Sequence, residues 1–371
     1  MEFFRQSTID IVTLDQDRIL QAAQQHLNQS PLHITDAPAT MSEGTSNDFY
    51  SNGDYWWPNP DTPNGLPYIR RDGESNPNAF LEHRRIMRAV RTTVSALTAA
   101  YCITNEEQYA QCAVEWLSEF FLDETTRMNP NMQYAQALPG ICSGRSIGLI
   151  DTLHVVEIPV AIDHLRSSQA LTSEIEHGLK NWFSQFIDWM TTHPYGVQEM
   201  EAHNNHGVAW AVQASVFARY TNNTAILDQC RTRFKTVFLP EQMAEDGSFP
   251  AELARTKPYG YSIFQLDMMA MLAYTLSTPT DNLWTFTLDD GRGMHRAIEY
   301  LYPYLNDKSS WPLPPDVQHF DGWPVRQPAL LFGGSALREH KYLDLWQRLD
   351  PNPTDDEIRR NVAIRQPLLW V

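Results

Sequence analysis

The sequence predicts an all-α protein, an α/α toroid in which antiparallel helical hairpins form an incomplete ring. Three observations lead there. About eleven segments carry apolar residues at helical spacing, with short polar breaks between them. No segment sustains the period-two alternation of a sheet strand. Irregular stretches rich in Pro, Gly and Trp interrupt the helices at only a few places. A row of hairpins must bury apolar faces on both sides, which a closed two-layered ring does well and a bundle of this number does poorly; the loops then gather at one end as a cleft.

Residues 15–28 set Ile19, Leu20, Ala23 and Leu27 on one face, with Asp15 as the expected N-cap. From about 31 to 78 the pattern breaks, and Ser51-Asn52-Gly53-Asp54-Tyr55-Trp56-Trp57-Pro58-Asn59-Pro60 puts three adjacent aromatics among turn formers. An irregular stretch of that length is functional or disordered, and the aromatics argue against disorder. Helices follow at 79–103 and 105–121, a hairpin turning near Asn105. A second irregular stretch, about 124–145, holds Gln133, Tyr134 and Gln136, then Ser143-Gly144-Arg145. Helices resume at 146–167, 171–193, 203–220 and 222–238. Gly247-Ser248-Phe249-Pro250 leads through a loop to helices at 259–277 and 290–306. A third Pro- and Trp-rich stretch, 309–327, precedes helices at 328–348 and 354–361, and the three irregular stretches are the expected cleft loops. The whole of 1–371 reads as one domain.

With 42% hydrophobic and 20% charged residues the chain can bury a large core, and no apolar run approaches the ~20 residues that span a bilayer. Met1–Ser7 lacks a basic segment followed by an apolar one, so a cytoplasmic location is expected as written, or a secreted or periplasmic one if a signal has been removed. Four scattered cysteines, Cys102, Cys112, Cys142 and Cys230, read as structural thiols. A net charge of −17 argues against nucleic acid and anionic membranes as partners. It leaves room for an anionic substrate met by a local basic lining, and Arg84, Arg85, Arg88 and Arg91 are either that lining or a solvated helix face.

Two constellations carry chemistry. In Glu201-Ala202-His203-Asn204-Asn205-His206-Gly207, two amides and two imidazoles stand at the start of an apolar helix. Asn205 points about a hundred degrees from His206, so the pair can hold two parts of one ligand, the amide on a carboxylate and the imidazole at a proton. Zinc on Glu201, His203 and His206 is the competing reading, but it lacks a complete ligand set. The second constellation is Phe249 to Leu266, where Arg255, Tyr259 and Tyr261 meet at a loop-to-helix junction. Amide, imidazole, arginine and phenol together suit β-elimination from a uronic acid polymer. The C5 proton becomes acidic only when the C6 carboxylate is neutralised, so donors are needed there, with a base at C5 and an acid at O4. Where C5–H and O4 share a face of the ring, one tyrosine can do both jobs if a nearby cation lowers its pKa from about 10.

Asn204-Asn205-His206-Gly207 resembles the Asn-Asn-His-Ser/Gly signature of the alginate lyase superfamily of α/α-toroid polysaccharide lyases. Tyr261-x-x-Phe264-x-Leu266 resembles its Tyr-His-x-Phe-x-Leu segment, which follows a catalytic arginine. The resemblance covers about 45–335. It implies Asn205 as carboxylate neutraliser, His206 as catalytic histidine, Arg255 as the arginine and Tyr261 as acid and base. No metal or cofactor is expected, because the carboxylate donors are side chains and no full ligand set is visible. Ser262 stands where the family often has His, and Arg255 lies one residue closer to its tyrosine, which keeps Tyr259 in contention. Ser51–Pro60 and Tyr134–Thr152 are more similar to a neighbouring lyase family associated with glucuronan and mannuronan.

The expected substrate is therefore a β-1,4-linked uronate polymer, and Tyr55, Trp56, Trp57, Gln133, Tyr134, Gln136, Arg145, Asn204, Tyr259 and Glu252 are candidates to bind it. A glycoside hydrolase pairing Glu201 with Glu252 or Asp54 is the nearest rival, and a non-catalytic acidic-sugar-binding protein the other.

Overall fold

The computed structural model describes residues 9–371, so Met1–Ser7, read above for a targeting signal, lies outside the described residues. In order the chain runs α1 (Ile11–His26), β1 (Tyr50–Asn52), β2 (Trp56–Trp57), β3 (Ile69–Arg70), the hairpin α2 (Glu82–Thr104) and α3 (Glu107–Phe121), and β4 (Tyr134–Ala137). A 3-10 stretch, Ser146–Val156, leads into α4 (Glu157–Leu165), followed by α5 (Ser173–Thr192), α6 (Pro194–Met200), α7 (Asn205–Thr221), α8 (Thr224–Arg233), α9 (Leu239–Gln242) and α10 (Pro250–Leu253). The last elements are α11 (Pro258–Leu276), α12 (Met294–Asn306), α13 (Pro328–Leu337), α14 (His340–Arg348) and α15 (Asp356–Asn361). The chain is mostly helical, and among the described residues no helix is long and apolar enough to cross a membrane.

Several boundaries differ from the sequence expectation. Asp10, not Asp15, caps α1, its carboxylate accepting from the Thr13 N–H at 3.0 Å. Asp15 is buried and paired with Arg326 at 2.8 Å and Arg18 at 2.9 Å. The helix expected at 146–167 opens as a 3-10 stretch, and the one at 328–348 is cut in two at Arg338, whose φ is +57°. Asn105, at φ +56°, closes α2 in the left-handed conformation common at helix ends, as the hairpin requires. The long loops also carry two small ladders, β1 parallel to β4 and β2 antiparallel to β3. Strands of two to four residues are too short to show a period, yet the first ladder fastens the first long loop to the second.

The core centres on α7 and α11, which pack against each other. Every residue of α11 is buried except Tyr261, and α7 is buried apart from His206, Arg219 and Thr221. Helices apolar nearly all round belong inside a large fold. Their exceptions near the N-terminal ends therefore mark where the core meets open space. The third loop, 309–327, supports α11 from behind: the Asp316 carboxylate accepts from the Tyr259 and Gly260 N–H groups, each at 2.9 Å, and so caps a helix whose Pro258 offers no donor.

The arginine row on α2 lines no part of the cleft between the long loops, and apart from Arg85 it is not a solvated face. Arg84 is buried and holds both carboxylate oxygens of Asp54 at 2.9 Å. Arg91 is buried and donates to the carbonyls of Ala363 at 2.8 Å and Val362 at 3.3 Å, with the Glu157 carboxylate at 3.9 Å. Arg88 donates to the Asp356 carbonyl at 3.0 Å, and Arg85 alone is exposed, on Glu82. The row fastens the first loop and the C-terminal segment to α2.

One buried group has a stability consequence. Asp267 of α11 accepts from the Ala329 N–H at 3.0 Å, its second oxygen is unpaired, and burial holds its carboxyl well above the ordinary range. A raised folded pKa means that stability is lost as pH climbs from about 4, where the unfolded chain releases the proton, toward the folded value. Asp267→Asn keeps the acceptor and cannot ionise, so it should stabilise by something on the order of 1 kcal/mol at about pH 8 and by less at about pH 4.5. Calorimetry showing the larger gain at the lower pH would contradict this account.

Candidate active site

A cleft of about 610 Å³ opens where the starts of α7 and α11 meet the first two long loops. Its lining includes Asp54, Tyr55, Trp56, Gln136 and Arg145 from the loops, Asn204, Asn205 and His206 from the start of α7, Arg255 and Tyr261 beside α11, and Arg360 and Asn361 from α15.

At α7, the Asn204 side chain accepts from the His206 N–H at 3.1 Å and forms the N-cap. The backbone turns in so tightly that a Cβ on Gly207 would lie 2.2 Å from the Ala202 carbonyl oxygen, so glycine is needed there. Asn205 donates to Glu252 twice, from its backbone N–H at 2.9 Å and its side-chain amide at 2.6 Å. That fixes which way the amide faces and leaves one amide hydrogen free for a ligand. Burial raises the Glu252 pKa, and the two Asn205 donors act against it. His206 has its Nδ1 at 2.5 Å from the Glu199 carboxylate. Burial is the largest single influence and would strip its proton, but the charge and hydrogen bond of Glu199, with the Glu252 charge, together outweigh it, so the imidazole holds a proton to higher pH than a free one.

At α11, Arg255 grips Asp72 at 3.0 and 3.3 Å, donates to the Tyr261 hydroxyl at 3.1 Å and lies 4.2 Å over its ring. The Tyr55 hydroxyl is 2.8 Å from the Tyr261 hydroxyl and receives an Arg360 N–H at 3.2 Å. Each phenol oxygen accepts one arginine N–H, and the two hydroxyls share a hydrogen bond that either can donate, so Tyr55 is the donor whenever Tyr261 has lost its proton. Burial pushes the Tyr261 phenol up to about 12, with Arg255 and Tyr55 acting to lower it. The sequence expectation of a phenol brought below 10 by a nearby cation does not hold, because burial is a larger effect than the Arg255 charge.

Arg145 stands on the Gln136 carbonyl and side-chain oxygen, each at 3.0 Å, and over the Trp56 ring at 5.8 Å. Gln136 itself has φ +49°, a strained conformation for a residue with a side chain.

Other candidates lie elsewhere. Tyr259 is fully buried: its hydroxyl donates to the Tyr304 carbonyl at 2.9 Å and its ring packs on Trp311 and Phe320. Glu252 is buried behind Asn205 and positions it without lining the cleft. Trp57 faces away from its neighbour Trp56, with its indole N–H on the Glu74 carbonyl and Arg71 over its ring. Tyr134 is covered by the turn at Gly44, and Gln133 is exposed outside the cleft. Loop 309–327 adds nothing to the lining. Glu201, His203 and His206 turn to three different partners, Arg233, Glu241 and Glu199, and among the described residues no group of three or more His, Cys, Asp or Glu converges on a metal site. The carboxylate pair of a hydrolase is not assembled either, since Asp54 is neutralised by Arg84 and Arg360. Sequence reasoning missed Glu199, Arg360 and Asn361; a carboxylate seven residues before His206 was the available signal for the first, and nothing local pointed to the other two.

The alginate lyase family model matches residues 33–311. An alginate lyase from Bacteroides ovatus is 32% identical, with a TM-score of 0.83, covering 96% of this chain and 92% of that one. Alginate lyase A1-III from Sphingomonas species A1 shares the fold at 14% identity and a TM-score of 0.57, over 95% of this chain and 94% of its own. A variant of alginate lyase A1-III complexed with a tetrasaccharide gives 14% and 0.56, over 96% and 94%. No curated protein sequence matches the chain.

The Glu199 contact is open to direct measurement. In Glu199→Gln the charge that keeps His206 protonated is gone, so an NMR titration of the ring should find its midpoint lower than in the native chain. An unmoved midpoint would mean that Glu199 does not control the imidazole.

Proposed function

This chain belongs to the alginate lyase family and is a polysaccharide lyase, and from that premise we propose that it cleaves β-1,4-linked mannuronate or glucuronate polymers by syn β-elimination, leaving a 4,5-unsaturated uronate end. The observation that carries this reading is the placing of the Arg255 guanidinium and the Tyr55 hydroxyl on one phenol oxygen, that of Tyr261, where both can donate once its proton is gone. Two donors stabilise a phenolate, and a phenolate beside C5 is the base that the reaction needs.

The remaining roles follow from charge. The free amide hydrogen of Asn205 and the protonated His206 receive the C6 carboxylate, spreading the charge that builds as C5–H breaks. Tyr261 takes the C5 proton and returns it to O4 as the glycosidic bond leaves. That return is possible only where proton and leaving oxygen share a ring face, as in mannuronate and glucuronate, and not in guluronate. Arg145 beside Trp56 binds a carboxylate and a ring face of a neighbouring sugar unit. We also read the hairpins as an α/α toroid and 1–371 as one catalytic unit; cleft residues drawn from Asp54 to Asn361 support the second point.

Tyr261→Phe removes a hydroxyl and little else, and should abolish the ultraviolet-absorbing unsaturated product on polymannuronate and glucuronan while saccharide binding stays nearly intact. Tyr259→Phe should stay active and lose about 1 kcal/mol of stability through its bond to Tyr304. A fully active Tyr261→Phe, or faster turnover of polyguluronate than of polymannuronate, would sink the syn mechanism.

Arg360 is assigned a positioning role through Tyr55. Arg360→Gln should lower kcat by roughly tenfold or more with KM changed less than about threefold, and should add nothing to Tyr55→Phe in the double variant. Multiplicative effects in the double variant would separate Arg360 from the tyrosine pair.

A further inference from the structure

α15 divides two basic spaces. Arg360 and Asn361 line the cleft, whereas Asp356 and Arg359 line a separate hollow of about 310 Å³. Five arginines, Arg85, Arg88, Arg91, Arg359 and Arg365, reach that hollow, against Asp356 as the single carboxylate in its lining. Such a concentration on a chain of net charge −17 is a local inversion of sign.

The arginines are poorly compensated. Arg88 and Arg359 share the one carboxylate, at 4.0 and 3.7 Å. Arg91 has carbonyls and a distant Glu157, and its buried Nε has no partner. The Arg365 guanidinium has no hydrogen bond or ion pair among the described residues; only its backbone N–H is engaged, on Glu157 at 3.0 and 3.1 Å. Its pKa is brought down to about 10, chiefly by burial and then by the facing charge of Arg359 and of Arg18, with Glu157 and Asp350 acting the other way. A half-buried cation facing other cations is an incomplete arrangement, and a bound anion completes it. The rest of the lining is suited to a sugar: the Gln29 amide, the Thr92 hydroxyl and Trp116, whose buried indole N–H is unbonded.

We propose that this hollow is a second saccharide site, in which Arg359 and Arg365 hold the carboxylate of an acidic sugar unit, apart from the cleft where bonds are cut. The sugar assignment rests on the polyuronate reading above; the anion assignment rests on the hollow alone. The geometry of a guanidinium fork suits a carboxylate held by two parallel N–H donors.

Calorimetric titration of the full chain carrying Tyr261→Phe with a short mannuronate or glucuronate oligosaccharide should show two binding events. Arg359→Ala or Arg365→Ala should weaken one of them by tenfold or more and leave the other, and Arg365→Lys should restore most of it. In the otherwise native enzyme, neither variant should alter kcat/KM on a trisaccharide. A single event, or two events that both variants leave unchanged, would overturn the proposal. Inorganic phosphate titrated in parallel separates the sources: phosphate bound through Arg365 with no second saccharide event would overturn the sugar assignment. If the second event appears but no uronate polymer is cleaved by the native chain, it is the reading of the cleft that fails, not that of the hollow.

Discussion

The cleft depends on the Asp54 carboxylate. Arg84 of α2 holds both of its oxygens, Arg360 of α15 reaches one of them, and its backbone carbonyl accepts from Asn76 at 2.7 Å. Three separate parts of the chain, the first long loop, the longest helix of the hairpin and the C-terminal helix, are joined at one buried anion. Removing one member of such a cluster leaves uncompensated charge in a dry site, at a cost of about 3–5 kcal/mol. The next residue is Tyr55, so whatever holds Asp54 also sets where the Tyr55 hydroxyl meets Tyr261.

A second division concerns charge and proton. Around His206 a carboxylate is brought close enough to outweigh burial, which favours a cation. Around Tyr261 burial outweighs a neighbouring guanidinium, which favours a neutral phenol. Two groups whose environments push them in opposite senses are a common basis for dividing the roles of electrostatic partner and proton carrier. In the proposed reaction Tyr261 takes the C5 proton as the phenolate, the form in which the donors on its oxygen are most valuable.

Much of the site could be read from local sequence because the relevant residues break a strong background. Asn205 and His206 are polar residues opening an apolar helix, and Arg255 and Tyr261 flank the start of another. What local reading could not do was choose between neighbours. Tyr259 and Tyr261 are two positions apart on a helix, about 200° in rotation, so one enters the core and the other the cleft. Trp56 and Trp57 are split in the same way by a strand. Glu252 looked like a ligand or a hydrolase carboxylate, and only the fold reveals it behind Asn205. Asp15 satisfies the N-cap rule by residue type, but it is buried against Arg326, and Asp10 caps the helix instead. Arg360 and Asn361 were out of reach because α15 is a six-residue helix with no apolar period of its own, remote in sequence from everything it meets.

That remoteness bears on how the molecule comes into being. The link between Asp54 and Arg360 closes 306 residues of chain, and the one between Arg360 and Tyr55 closes 305. Contacts of such separation are among the slowest to form, since the ordering entropy of the intervening chain is met before they repay it. Helical hairpins such as α2 with α3 can assemble early from local contacts. The catalytic wall can close only when the final tenth of the chain has docked, so the acquisition of activity coincides with the end of folding rather than with the collapse of the core.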